Sequence, residues 1–468
     1  MKVNVTKMVK YVLVFFILSV LCVNIVWPAF HKDVDSSYKE YLSQLNFESE
    51  SEGTEKILSI DDNDEALLWR LRMISNAKKS IIMATFDLRG DESGSAVMSA
   101  LYNSAQKGVK VRLLIDGAYE KIYLKDCDIF KTLCQHQNVE ARFYNPVRIS
   151  NIYKLNYRMH DKYIIIDDKM YLLGGRNTND IFLGELHKGS NVDRDILVYN
   201  TVDGEGESYR QLLDYFNIIW NESCVENVND KINDQRKEKA GRLLDEKYIK
   251  LIDKYEDFDK YNDWEKDTFD ANKITLISNE TFAKNKEPRI LYAIEQLALK
   301  RESIMIQTPY AICNDKMYKV FNNIEKNSEI EVIINAVEKG SNPWGCTDYL
   351  NNKGDLLKTG IDIYELMNEY AVHTKTVLLD DNISVVGSYN LDMRSTYLDT
   401  ELMIVIDSEE LNSHIKEISK DYKGKSLQVL SNRTEIEGEY YKKRELSAKK
   451  QRYYLILRVI TKPFRYLL

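Results

Sequence analysis

The stretch RMHDKYIIIDDKMYLLGGRN, residues 158–177, sets His160, Lys162 and Asp167 in the order HxKxxxxD, and residues 372–390, VHTKTVLLDDNISVVGSYN, repeat the order with His373, Lys375 and Asp380. An imidazole serves as nucleophile or proton carrier near neutral pH, and an ammonium neutralises a phosphate oxygen. Two such sets facing one another across a pseudo-twofold make a phosphodiester site. One neutral histidine attacks phosphorus to form a phosphohistidine, and the other, protonated, delivers its proton to the leaving oxygen. The two lysines supply the charge a metal would otherwise bring, so neither metal nor cofactor is expected.

On a strand, residues two apart share a face and residues an odd number apart do not. His and Lys therefore point together. Asp167 and Asp380 belong to the motif, but the seventh position falls on the opposite face or in the turns DDKM and DDNI, where a structural role is expected. An asparagine follows each histidine by 17 residues, Asn177 and Asn390; these two, with Ser388 of GSYN, are assigned to substrate. A carboxylate comes on the next strand of each copy, Asp195 in VDRDILVY and Glu401 in LDTELMIV. These two are expected to hold the imidazole Nδ1–H and fix its tautomer.

The elements that carry these residues recur. SIIMATFDLRGD, VKVRLLIDGA and NVEARFYNP find counterparts in SIMIQTPYAICND, IEVIINAVEKG and GIDIYELMN. Helix and strand alternate, so the fold class is α/β with a largely parallel sheet, present twice. The boundaries read as a membrane anchor at 1–30, a linker at 31–57, a first domain at 58–221 with its motif segment at 154–181, a charged connector at 222–275, a second domain at 276–426 with its motif segment at 367–394, and a basic tail at 427–468.

YVLVFFILSVLCVNIVW, residues 11–27, is apolar apart from Ser19 and Asn24, with Lys2, Lys7 and Lys10 before it. No small residues mark a cleavage site, so a single-pass anchor is expected. The lysines place the amino terminus in the cytoplasm and the catalytic part outside the cell membrane. From Tyr440 onward nine Lys or Arg stand against one Glu, interleaved with Tyr, Leu and Ile; this suits an interfacial helix on anionic lipid. A net charge of −8 argues against nucleic acid as a partner. The six cysteines, Cys22, Cys127, Cys134, Cys224, Cys313 and Cys346, form no CxxC pair and read as free thiols. Oligomeric state is not legible.

On the paired motifs, the stretches GSYNLDMRS and TELMIVID, and the spacing between them, the chain resembles the phospholipase D superfamily, and within it bacterial cardiolipin synthases, over about residues 60–426. The resemblance implies two tandem phospholipase D-like α/β/α domains with one shared site, a phosphatidyl group passing through a phosphohistidine to phosphatidylglycerol or a similar lipid alcohol, and His160 as the nucleophile with His373 as the acid. A hydrolase on the same scaffold, phospholipase D or nuclease, is the alternative. Common members carry two amino-terminal membrane helices where this chain has one.

Overall fold

The computed structural model describes residues 5–468; Lys2 lies outside the described residues. The first half contributes β1 (Glu55–Ile60), β2 (Ser80–Thr85), β3 (Lys110–Asp116), β4 (Val139–Tyr144), β5 (Tyr163–Ile166), β6 (Met170–Gly174) and β7 (Asp195–Asn200). The second contributes β8 (Lys273–Ser278), β9 (Ser303–Gln307), β10 (Glu329–Asn335), β11 (Asp362–Leu366), β12 (Thr376–Leu379), β13 (Ile383–Gly387) and β14 (Leu402–Asp407). Two flanking strands complete each nine-stranded sheet. Without them the orders are β1-β7-β6-β5-β2-β3-β4 and β8-β14-β13-β12-β9-β10-β11, the same arrangement strand for strand.

The expectation of a largely parallel sheet is corrected. Within these two sheets only β2–β3–β4 and β9–β10–β11 run parallel; the remaining neighbours are antiparallel. The motif strands cause this, because β5 turns into β6 within three residues, and a hairpin connection forces antiparallel pairing.

The halves share a core. The helix Glu207–Trp220 buries Leu212, Tyr215, Phe216, Ile219 and Trp220 at helical spacing, and these side chains join one apolar cluster with Ile274 and Leu276 of β8 and Val385 and Ile404 of the second sheet. Each buried side chain of this size contributes about 1.5–3 kcal/mol, so the first half's last helix fastens the second half's sheet. Two short crossings close the seam beside the motifs: Asn191–Val192 pairs in parallel with Ala371–Val372, and Met159 bridges Thr400.

Three segments are more structured than their composition implies. In the connector, Val225–Asn227 adds to β4 and Phe269–Asp270 to β1. Between them the helix Asp234–Lys254 buries Ala240, Leu244, Tyr248 and Leu251 against the first half; its charged outer face conceals that stripe in the sequence. In the linker, the helix Ser36–Gln44 buries Tyr38 and Leu42. In the tail, Ser426–Val429 and Glu435–Glu437 extend the second sheet, and the helix Ala448–Thr461 packs Tyr454, Leu457 and Thr461 against the helix Pro343–Leu357.

The amino-terminal apolar helix, Lys7–Ala29, has 23 residues, about 35 Å at 1.5 Å per residue, long enough to cross a bilayer. Its polar Asn24 is a joint. Asn24 sits in a π-helical turn, Cys22–Val26, donates to the carbonyls of Val20 and Ile152 at 2.9 and 2.8 Å, and accepts from the Leu155 amide at 3.2 Å. The end of the apolar helix is thereby tied to the run that leads into His160.

Candidate active site

His160 and His373 lie in the extended runs just before β5 and β12, each anchored by the other half. The His160 amide donates to the Thr400 carbonyl at 3.2 Å and the His373 amide to the Val192 carbonyl at 2.7 Å. The carboxylates follow the same exchange. His160 Nδ1 meets Glu401 Oε1 at 2.9 Å, and His373 Nδ1 meets Asp193 Oδ2 at 2.7 Å. With Nδ1 so engaged, His160 Nε2 is left for chemistry and His373 Nε2 lies beside the Lys375 ammonium, and the rings are only 12% and 14% exposed. The edges of Phe86 and Phe182 close over His160 and His373, with ring centroids 5.1 and 5.0 Å apart.

Asp195 is therefore corrected as an orienting residue. It lies buried between Arg70 at 3.0 Å and Arg176 at 3.2 Å. Gly174 opposes Asp195, while its counterpart Gly387 opposes Met403. The equivalent of Glu401 is thus two residues earlier, at Asp193. Ser388 is corrected as a substrate group, because its hydroxyl donates to Glu401 Oε2. Together with Ser395, which donates to Oε1 at 2.6 Å, it holds the carboxylate in place. In the first half Gly175 takes the place of Ser388, where a Cβ would fall 2.4 Å from Asp193 Oδ2.

Asp167 and Asp380, named with the catalytic motif, stand away from the histidines. Both adopt left-handed backbone, φ 51° and 46°, which a turn Asp tolerates. The Asp167 carboxylate accepts the amides of Lys78, Lys79 and Ser80 at 2.7–2.8 Å, and Asp380 accepts those of Glu302 and Ser303 at 2.9 and 3.0 Å. Each ties the β5–β6 or β12–β13 turn to the start of the central strand. Their role is structural.

The lysines are within the site. Lys162 Nζ donates to the His160 carbonyl. Lys375 Nζ reaches the His373 carbonyl and stands 3.3 Å from His373 Nε2 and 3.5 Å from Asp193. Asn177 and Asn390 are buried, and the Oδ1 of each lacks a partner among the described residues. The described residues contain no group of three or more His, Cys, Asp or Glu that could hold a metal ion, and the cysteines are free.

Burial sets the electrostatics, and it sets the two halves differently. Burial, reinforced by Lys162, drives His160 well below the ordinary imidazole range. Burial and Lys375 bring His373 down to about 4, against the pull of Asp193. Burial lifts Glu401 to about 8. Burial acts on Asp193 in the same sense, but Lys375 and His373 outweigh it and hold Asp193 at about 2. His373 thus faces a fixed anion, whereas burial weakens the hold of Glu401 on its charge beside His160.

Burial, aided by Lys375 and opposed by Glu401, lowers Lys162 to about 8. The ammonium is charged below that pH and neutral above it. In a kcat/KM profile the rate should fall above about pH 8, and Lys162→Arg, whose guanidinium keeps its proton, should carry the basic limb upward despite a lower plateau. An unchanged basic limb in the Arg variant would remove Lys162 as its source.

The arrangement matches known proteins. A family model described as "Cardiolipin synthase, PLD-like domain" covers residues 71–220 and 293–422. Cardiolipin synthase 1 of Staphylococcus epidermidis is 28% identical over 384 residues, 81% of this chain and 68% of that protein. Cardiolipin synthase C of Escherichia coli is 23% identical over 397 residues, 76% and 82% of the two chains, and an uncharacterized protein of Helicobacter pylori is 26% identical over 409 residues, 79% and 80%. The phosphatidylserine synthase structure from Haemophilus influenzae superposes with a TM-score of 0.63 at 16% identity, over 92% of this chain and 99% of that one, and so shares the fold. The chain belongs to the cardiolipin synthase, PLD-like domain family and is a phosphatidyltransferase-type enzyme of the phospholipase D superfamily.

Proposed function

We propose that the chain moves a phosphatidyl group from one phosphatidylglycerol to the glycerol hydroxyl of another, giving cardiolipin and free glycerol. The observation that carries this reading is the pair of histidines, each oriented through Nδ1 by the other half's carboxylate. His160 Nε2, kept neutral, attacks phosphorus; the bond from phosphorus to the glycerol oxygen breaks, and that oxygen takes the His373 proton. The incoming hydroxyl returns a proton to His373 as its oxygen displaces His160 from phosphorus. Lys162 and Lys375 offset the charge on the nonbridging oxygens, with the amides of Asn177 and Asn390 beside them.

What favours transfer over hydrolysis in this reading is where the site is held. The helix Ala448–Thr461 turns Leu455, Ile456, Val459 and Ile460 to the outside, and Trp344 and Leu350 are exposed on the helix beneath it. The segment that follows returns to the anchor, where the Tyr466 hydroxyl donates to the Ile25 carbonyl at 2.5 Å. An apolar amino-terminal helix and an apolar outer face support a seat on the cell membrane, where lipid alcohols are concentrated and water is scarce. Ile456→Glu with Val459→Glu should weaken vesicle binding and lower transfer in vesicles about tenfold, while sparing activity on detergent-dispersed lipid. Equal losses in both would mean that the face supports the fold instead.

The purified full-length protein in phosphatidylglycerol vesicles with excess chelator should make mainly cardiolipin and release glycerol. Phosphatidic acid as the dominant product would make the enzyme a phospholipase. Activity restored only by a divalent metal would overturn the metal-free chemistry.

A further inference from the structure

The two approaches to the site differ, although equivalent halves build them. The run into His160 is covered: Asn24 of the anchor binds it at Ile152 and Leu155, and the Arg394 guanidinium donates to the Asn156 carbonyl at 2.9 Å. The corresponding run into His373, residues 367–371, instead forms a wall of a groove of about 1180 Å³, with residues 188–191, 439–442 and Arg444 among its other walls. Ala371 and Asn191 line the groove and pair in register. Two residues further along the same two runs stand His373 and Asp193. At about 3.3 Å per residue, the groove comes within roughly 7 Å of the catalytic pair.

The lining has a definite chemistry. Lys188, Lys339, Lys442 and Arg444 face the groove, and among the described residues none of the four is in an ion pair; Glu369 and Glu439 are the carboxylates that line it with them. Burial and then Arg444 depress the Lys339 ammonium, so these two cations repel one another, and an anion between them would relieve that repulsion. Asn191, 6% exposed, has an Oδ1 without a partner among the described residues. That oxygen accepts a hydrogen bond, which a polyol hydroxyl can give and the ionised phosphodiester of the head group, having no proton, cannot.

We infer that this groove is the acceptor subsite and takes a polyol phosphate head group, its phosphate among Lys339, Lys442 and Arg444 and a hydroxyl on Asn191, leading the acceptor to His373, which takes its proton, and to the phosphorus held on His160. The inference rests on the transferase reading above and assigns it a place for the second lipid. The covered side leaves the groove as the approach open to a second charged head group.

The test uses full-length protein in phosphatidylglycerol vesicles and the double variant Lys442→Gln/Arg444→Gln. Transfer to phosphatidylglycerol should fall at least tenfold, while transfer to ethanol, an acceptor without phosphate, stays within twofold. By calorimetry the wild type should bind glycerophosphoglycerol at least tenfold more tightly than inorganic phosphate, and the double variant should lose that affinity. Equal loss with both acceptors, no loss with either, or equal affinity for the head group and inorganic phosphate would overturn the inference. Cardiolipin made by the wild type with unchanged acceptor preference in the variant sinks the groove and leaves the transferase reading standing. Phosphatidic acid as the wild type's only product sinks the transferase reading, and the acceptor role with it.

Discussion

His160→Ala and His373→Ala each lower turnover of phosphatidylglycerol by about 10⁴-fold, the scale set by losing a nucleophile or a general acid at the upper end of its usual effect. They should differ in what remains. A phosphatidyl ester of p-nitrophenol has a leaving group that departs without a proton, so His373→Ala should still release one equivalent of nitrophenol and trap a phosphohistidine. His160→Ala should give neither. The assignment is the one the family resemblance implies, and the electrostatic difference between the halves agrees with it: burial and Lys162 keep His160 neutral and nucleophilic, whereas Asp193, held at about 2, supports a proton on His373 once substrate charge enters. Mass spectrometry of the trapped enzyme should place the phosphate on residue 160. A label on residue 373, formed by His160→Ala, would reverse the roles.

Much of this arrangement could be read from residue spacing, for a physical reason. Strand periodicity and an internal repeat are local properties, so the sequence places His160 with Lys162, His373 with Lys375, and the matching strands β2 and β9 or β3 and β10. The same parity argument sends Asp167 and Asp380 to the turns, where their carboxylates bind amides. What spacing could not supply is contact across the pseudo-twofold. Each histidine is oriented by the half it does not belong to, and nothing in the order of residues within one half records that exchange.

Asp193 was missed for a related reason. VDRDILVY offers two aspartates before its apolar run, and alignment on that run selects Asp195. Counting from the asparagine does not help, because the loop after Asn177 is longer than the one after Asn390. Only the pairing of Gly174 and Gly387 with the next strand fixes the offset at two. The fastening at Asn24 was hidden too, since a lone amide in an apolar run looks like a weak point of the anchor until its partners at residues 152–155 are known. A feature visible in the sequence, GG in one copy against GS in the other, does carry the difference: glycine admits the short Asp193, and the Ser388 hydroxyl grips the longer Glu401.

Asp193→Asn and Asp195→Asn, two residues apart on one run, should fail in opposite ways. Asp193→Asn keeps the shape and most hydrogen bonds, so the protein should melt near the wild-type temperature. Its amide no longer fixes the His373 tautomer or supports the imidazolium, and kcat should fall about 10²–10⁴-fold, the scale of losing the carboxylate behind a catalytic histidine. The basic limb of the pH profile should move down, because His373 acts in its protonated form and the anion that draws a proton to it is gone. Asp195→Asn instead leaves Arg70 and Arg176 buried without their shared charge, at a cost of about 3–5 kcal/mol. That variant should melt early or express poorly, and the fraction that folds should turn over at close to the wild-type rate. The two readouts separate a positioning residue from a structural one. Stability lost with Asp193→Asn and turnover lost with a well-folded Asp195→Asn would return the orienting role to Asp195 and break the equivalence of Asp193 with Glu401.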